Sequence, residues 1–159
     1  MADNSSVLSM DFLKASYPMN SVGTDFGAEI EPHVEGLISK LEELSALEDG
    51  WLGYNSVPPT TPAFLGAVFF ITRMIRPNTP FPDIFPSPNG NIQLEWSCFD
   101  LDIEIEIESH TKYLVSFEDL NSDTSWDKMY SYDLTEIKDL LVELSKRATE
   151  RTRRKAVHG

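Results

Sequence analysis

The sequence predicts an α+β domain, and three observations carry that prediction. Two stretches with hydrophobic residues at three- and four-residue spacing come first, stretches of strict alternation follow, and a third helical pattern comes last. Elements segregated in this way pack as helices against an antiparallel sheet rather than as alternating strand–helix–strand units. The expected architecture is two N-terminal helices, an antiparallel β-meander of three to four strands, and a C-terminal helix packed on one sheet face. At 159 residues, 41% of them hydrophobic, the chain suffices for one core.

Residues 1–30 show little periodicity. Ser, Asn, Asp and Gly separate single apolar residues such as Val7, Leu8, Phe12 and Leu13, so an irregular arm with one short helical turn near Met10 is expected. Pro32 opens the first helix, where a missing N–H costs little. Val34, Leu37, Ile38, Leu41, Leu44 and Leu47 supply its apolar stripe, with Glu35, Lys40, Glu42 and Glu43 opposite, and Asp49-Gly50 ends it. Thr61-Pro62 reads as an N-cap followed by proline at the start of a second helix. Through Phe64, Leu65, Val68, Phe69, Ile71 and Met74 that helix is apolar nearly all round, so it is expected to be the most buried element. Five prolines from Pro77 to Pro88 then make an extended connection from which Phe81, Ile84 and Phe85 can anchor to the core.

Asn89-Gly90 signals a hairpin. After it, Ile92, Leu94 and Trp96 alternate with Gln93 and Glu95, and Leu101, Ile103, Ile105 and Ile107 alternate with Asp102, Glu104, Glu106 and Glu108. Tyr113, Val115 and Phe117 mark a third strand, and a fourth is expected over 128–132. The last helix opens on a capping box, Asp133 with Glu136 three residues on, and Tyr132 is placed to staple onto Ile137. Ile137, Leu140, Leu141 and Leu144 form its buried stripe. Residues 31–145 therefore read as a single domain, followed by a basic tail over 146–159.

The net charge of −13 is unevenly spread. Residues 1–145 carry 25 acidic and 7 basic side chains, whereas 146–159 set Lys146, Arg147, Arg151, Arg153, Arg154 and Lys155 against Glu150 alone. The acidic body argues against a general nucleic-acid binder or a protein docked on anionic lipid, because phosphates would be repelled. The tail reads either as a solvated helix end, which suits the helix dipole, or as an arm that touches nucleic acid or an acidic partner. An N-terminus with Asp3 and a Ser/Asn run does not resemble a signal peptide, and the apolar window from Phe64 to Ile75 is too short to cross a bilayer. A soluble, cytoplasmic protein is expected.

The most distinctive stretch is Asp100 to Glu108. Alternation places Asp100, Asp102, Glu104, Glu106 and Glu108 on one strand face, roughly 6.6–6.8 Å apart, and Glu95 and Glu118 on neighbouring strands widen the row. Like charges side by side are unfavourable unless water, cations or a basic partner screens them. The row is thus either the solvated face of a one-sided sheet or a docking surface that imitates a phosphate backbone for an Arg- and Lys-rich protein. A line of carboxylates does not converge as a divalent cation requires, and no cofactor or metal is implied.

For catalysis the inventory is thin. Cys98 is the sole cysteine, which leaves no internal disulfide and no cysteine-based zinc cluster. It acts as a nucleophile only with a histidine beside it, and His33 and His110 are the candidates, although a lone cysteine in an apolar strand is more often a small core residue. No serine sits in a nucleophile elbow, no Gly-rich phosphate loop occurs, and His33, His110 and His158 lack metal-ligand spacing. No enzyme is expected. Asp49-Gly50-Trp51-Leu52-Gly53-Tyr54 makes a tight loop that either plugs Trp51 and Tyr54 between the helices and the sheet or displays them as a contact surface.

That loop, a proline-led helix, the run Pro86-Ser87-Pro88-Asn89-Gly90-Asn91-Ile92-Gln93-Leu94-Glu95-Trp96 and the strand from Leu101 to Ile107 together resemble a small bacterial and phage protein family. Its marks are a DGW-x-GY-like turn, a P-x-P-x-G-x-(I/V)-QLEW hairpin and a following acidic strand. The resemblance covers about residues 36–120, with Leu52 where an acidic residue is usual and Asn55 where glycine is usual. It implies no catalytic residue. The arm and the basic tail fall outside it.

Together these features lead to a non-catalytic acidic interaction protein, one that binds and neutralises or regulates a basic partner, itself a candidate nucleic-acid-binding protein. An immunity protein, an antitoxin or a phage anti-defence inhibitor acts in this manner. The expected surface comprises Glu95, Asp100, Asp102, Glu104, Glu106, Glu108 and Glu118, with Trp51, Tyr54 and Trp126 as hydrophobic anchors. The alternative is a nucleic-acid-associated regulator that contacts phosphate through Arg151, Arg153, Arg154 and Lys155.

Overall fold

A computed structural model describes residues 32–158; the expected arm, with its turn near Met10, lies outside the described residues. Five strands, β1 (Asp83–Pro86), β2 (Ile92–Cys98), β3 (Leu101–Ser109), β4 (Lys112–Asp119) and β5 (Thr124–Tyr130), form one antiparallel sheet in chain order. Two helices precede it, α1 (Glu35–Ser45), entered through a 3₁₀ turn at Pro32–Val34, and α2 (Thr61–Met74); α3 (Thr135–His158) follows it. The fold is α+β, with five strands where three to four were expected.

The extra strand comes from the proline-rich connection. Asp83–Pro86 pairs with β2 opposite Glu95 to Ile92, so the Asn89-Gly90 turn closes a true hairpin. Proline 86 is tolerated there because β1 is a sheet edge, where a missing donor leaves no ladder bond unmade. Of the three anchors expected in this connection only Ile84 is buried, while Phe81 and Phe85 are exposed. β5 begins four residues before the expected strand and ends at Tyr130 rather than 132. As an edge strand exposed along most of its length, it lacks the one-sided burial that gives an alternating pattern its clarity.

The two sheet faces differ sharply. Ile84, Ile92, Leu94, Trp96, Leu101, Ile103, Ile105, Ile107, Tyr113 and Val115 point to one side and are buried with the helices in a single core. α2 contributes Ala63, Phe64, Ala67, Phe70 and Ile71, all fully buried, as expected for an apolar helix. It lies so close to the β3–β4 turn that a Cβ on Gly66 would fall 2.6 Å from the Ser109 carbonyl carbon. Its N-cap is Thr60 rather than Thr61: Thr60 is extended, and its hydroxyl accepts from the Ala63 N–H at 3.3 Å.

α3 seats Ile137, Leu141 and Leu144 in the same core. The predicted capping box does not form, because Asp133 bonds two residues on instead of three. Asp133 Oδ1 accepts from the Thr135 N–H at 3.0 Å, whereas Glu136 is drawn to Lys128 Nζ at 2.6 Å. The staple does not form, because Tyr132 adopts a left-handed backbone and is 83% exposed. The helix runs unbroken through the basic stretch to His158, and residues 150–157 are all exposed.

Candidate functional site

The outward sheet face is built by register. Asp83 lies opposite Glu95, Glu95 opposite Glu104, Glu104 opposite Ser116, and Ser116 opposite Asp127. Four carboxylates therefore line up across the strands in a single row. Adjacent strands lie about 4.7–4.9 Å apart, closer than the 6.6–6.8 Å between same-face neighbours along one strand. A flanking row pairs Asp102 with Glu118, and on the other side Phe85, Gln93, Glu106, Leu114 and Met129 follow one another across the sheet. A shallow concavity of about 580 Å³ includes Glu95, Asp102, Glu104, Ser116, Glu118 and Asp127 in its lining. The surface is thus a two-dimensional acidic array with an apolar margin.

Its electrostatics follow from what surrounds each group. Burial, reinforced by the charges of Glu95, Glu106 and Asp127, pushes the Glu104 carboxyl above its ordinary value. Among the described residues no lysine or arginine forms an ion pair with Asp83, Glu95, Asp102, Glu104, Glu118 or Asp127. Gln93 Nε2 donates to Glu95 at 2.5 Å, which orients one carboxylate without neutralising it. Directly opposed like charges, here Glu95–Glu104 and Asp102–Glu118, work against the sheet that carries them.

Three members of the expected row are employed elsewhere. Glu106 Oε1 accepts from Asn91 at 2.7 Å, Asn89 at 3.4 Å and Ser87 at 3.5 Å, so it ties the β1–β2 turn to the sheet. Glu108 pairs with Lys112 across the β3–β4 turn at 2.6 Å. Asp100 leaves the strand altogether: it sits in the β2–β3 turn with φ of 62° and accepts from Asn121 at 3.4 Å. Asp83 and Asp127 take part although alternation within β3 could not reveal them. The signal for Asp127 is the opposed phase of Ser125, Asp127 and Met129 against Trp126, Lys128 and Tyr130.

The aromatic candidates separate. Trp126 lies opposite Phe117, on the helix-bearing side of the sheet, with ring centroids 5.2 Å apart and Lys128 Nζ 4.9 Å from the indole centroid. Trp51 is half-buried, and its indole N–H donates to the Val57 carbonyl at 3.0 Å. Tyr54 is 98% exposed, so the loop displays it instead of plugging it into the core. Gly50, Gly53 and Asn55 all adopt positive φ, which folds the loop around Ser56; its hydroxyl accepts from the Leu52 N–H and donates to the Gly53 carbonyl. Val57 N–H donates to Pro88 O and Thr60 N–H to Gly90 O, both at 2.9 Å, so the loop is stitched to the turn that Glu106 holds. Tyr54 and Leu52 are therefore carried on a braced support contiguous with the acidic face.

At the other end of the sheet lies a contrasting arrangement. Arg147 on α3 reaches Asp119 through Nη2–Oδ2 at 2.6 Å and Nη1–Oδ1 at 3.2 Å, Glu143 at 3.0 Å, and the Phe99 carbonyl at 3.4 Å. Those guanidinium bonds hold the Asp119 carboxyl down to about 2 and hold Arg147 firmly protonated. Beyond this lock, Arg151, Arg153, Arg154 and Lys155 lie on exposed helix.

Cys98 and His110 sit at opposite ends of β3, roughly 25–30 Å apart by strand rise, and His33 Nε2 lies 3.1 Å from the Ile75 carbonyl. Burial, then the Asp102 charge, pushes the Cys98 thiol up and keeps it protonated. Among the described residues no three histidine, cysteine or carboxylate groups gather as metal ligands, and no helix is long and apolar enough to cross a membrane. Compared with protein-family models, curated proteins and solved structures, the chain matches none.

Proposed function

We propose that this is an interaction protein whose outward sheet face binds and neutralises or regulates a basic partner protein. The observation that carries the reading is the row Asp83, Glu95, Glu104 and Asp127, contributed by four strands and left without an ion-pairing cation among the described residues. A protein does not gain stability from opposed like charges, and a cationic partner removes that cost on binding. Phe85, Leu114 and Met129 beside the row offer apolar contact, and Tyr54 on its braced loop is the candidate aromatic anchor. A partner that itself binds nucleic acid fits best, since it already carries arginines and lysines arranged to meet regularly spaced anions.

The test is the double variant Glu104→Lys with Asp127→Lys, which leaves the Glu106 tether in place. Expected is loss of partner binding, read by isothermal titration against a partner captured from the native cell, with the wild-type affinity falling steeply as salt rises. Binding at full strength by the double variant, or affinity indifferent to ionic strength, overturns the proposal.

A second reading has its own support in the exposed helical stretch from Arg151 to Lys155, which suits contact with phosphate. Reversing Arg151, Arg153 and Lys155 to glutamate tests it without disturbing Arg147. Nucleic-acid binding lost in that variant favours this reading over the first.

A further inference from the structure

The described residues carry both halves of a charge-complementary contact, and no ion pair among them joins the two. One half is the outward face of the sheet; the other is the end of α3. Eleven residues of that helix follow Arg147, roughly 16 Å of rod at 1.5 Å per residue, with Arg151, Arg153, Arg154 and Lys155 among them. The helix is seated on the opposite side of the sheet through Ile137, Leu141 and Leu144 and locked at Arg147 to Asp119. Past that lock, Arg151 and Arg154 line a hollow beside Phe99, Asp100 and Asn121 of the β2–β3 end and not the outward row.

We propose that the basic end of α3 docks across the outward sheet face of a second copy of this chain. This rests on the reading above that the face receives cations. The dimensions agree over one step: strands follow one another every 4.7–4.9 Å or so, and Arg151 and Lys155 stand four residues apart on one helix face, about 6 Å along the axis, so a helix laid across the strands presents them to two adjacent strands. Neighbouring carboxylates such as Glu95 and Glu104 meet those two charged heads. The aliphatic stems of the arginines lie over Leu114 and Met129, the latter 64% exposed. The competing occupant within the chain, residues 1–31, carries Lys14 against Asp3, Asp11, Asp25, Glu29 and Glu31 and so repeats the sign of the face. The contact joins two different patches; where each copy lends its helix to the other it closes as a pair, and otherwise it extends as a chain.

The experiment is sedimentation velocity on the full chain at about 0.15 M salt, where a Debye length of about 8 Å screens the overall repulsion between two acidic bodies but not a direct contact. Concentration-dependent association is expected, weakened roughly tenfold or more by about 1 M salt. The face variant (Glu95→Lys, Glu104→Lys, Asp127→Lys) and the helix variant (Arg151→Glu, Arg153→Glu, Lys155→Glu) should each be monomeric. Mixed together they should associate again, because the unaltered helix of one meets the unaltered face of the other and the swapped charges are themselves complementary. Zero-length carboxyl–amine cross-linking of isotopically mixed chains should join Lys155 of one copy to Glu104 or Asp127 of another. A wild-type chain that stays monomeric at all concentrations, association that survives either variant, or cross-links from the face to Lys14 would each overturn the proposal, the last by giving the face to the N-terminal segment. A poly-lysine peptide separates this outcome from the wider reading. If the monomeric wild type binds it and the face variant does not, self-docking alone fails; if neither binds, the cation-receiving face fails too.

Discussion

Asp119 and Glu104 stand on neighbouring strands of one sheet and are treated in opposite ways. Asp119 faces the helices, and an arginine from α3 meets both of its oxygens, so its carboxyl is held down to about 2. Glu104 faces outward among carboxylates, and burial together with Glu95, Glu106 and Asp127 pushes its carboxyl up. Where the fold needs a carboxylate, it supplies the counter-charge from its own chain. Among the described residues the outward row receives none, and its repulsion is tolerated at the expense of stability.

The largest expected effect comes from breaking the paired member. Replacing Arg147 with methionine keeps the length but removes the guanidinium from Asp119, which retains the Asn121 N–H, and from the Phe99 carbonyl, and should cost about 2–3 kcal/mol in urea unfolding at neutral pH. The pH dependence distinguishes this from lost packing. A native carboxyl depressed to about 2 stabilises the fold above its unfolded value near 4, and that contribution disappears as pH falls from about 4 to about 2. Arg147→Met should flatten the wild-type decline across that window; an unchanged acid profile would mean that Asp119 is not held by Arg147.

A packing test of the same inward side follows. Gly66→Ala places a methyl against the β3–β4 turn and should destabilise by about 1–3 kcal/mol, although alanine is the better helix former. A stabilised variant would show that α2 does not approach the turn so closely.

The smallest effect has the reverse sign and sharpens the contrast. A carboxyl whose native value is raised binds its proton more tightly folded than unfolded, so its contribution falls as pH rises through the native value. Glu104→Gln should therefore raise the melting temperature slightly at pH 7, with the gain vanishing in acid where wild-type Glu104 is already protonated. Thermal melts at the two pH values check this, and a lowered melting temperature at neutral pH would mean that Glu104 is stabilised rather than strained.

The sequence reading was sharpest where one residue's environment is set by its own strand. Alternation in β2 and β3 assigned the inward isoleucines and outward carboxylates, and Glu95 and Glu118 fell beside the row as expected. It was blind to what arrives from a distance. The tether on Glu106 comes from side chains 15 to 19 residues earlier, and the partner of Asp119 from 28 residues later. Asp83 was hidden because prolines mask an edge strand, and Asp127 because the fourth expected strand began at 128. For Tyr54 the sequence favoured the plug over display, although two glycines permit either; the buried Ser56 hydroxyl braces the loop the other way, and no periodicity announces such a bond.

The strictly sequential order of the five strands bears on how the molecule forms. Every strand pairs only with its neighbours in the chain, so the sheet can close one short loop at a time, without the search that a crossover connection imposes. The like-charged pairs thus come together through local hairpins, where closure is least costly. The long-range closure is left to the helices: α2 packs against the β3–β4 turn, and Arg147 of α3 reaches back 48 residues to the Phe99 carbonyl. The hairpins should form early and the Arg147 contacts only after the transition state, which makes Arg147→Met a variant whose unfolding accelerates more than its folding slows.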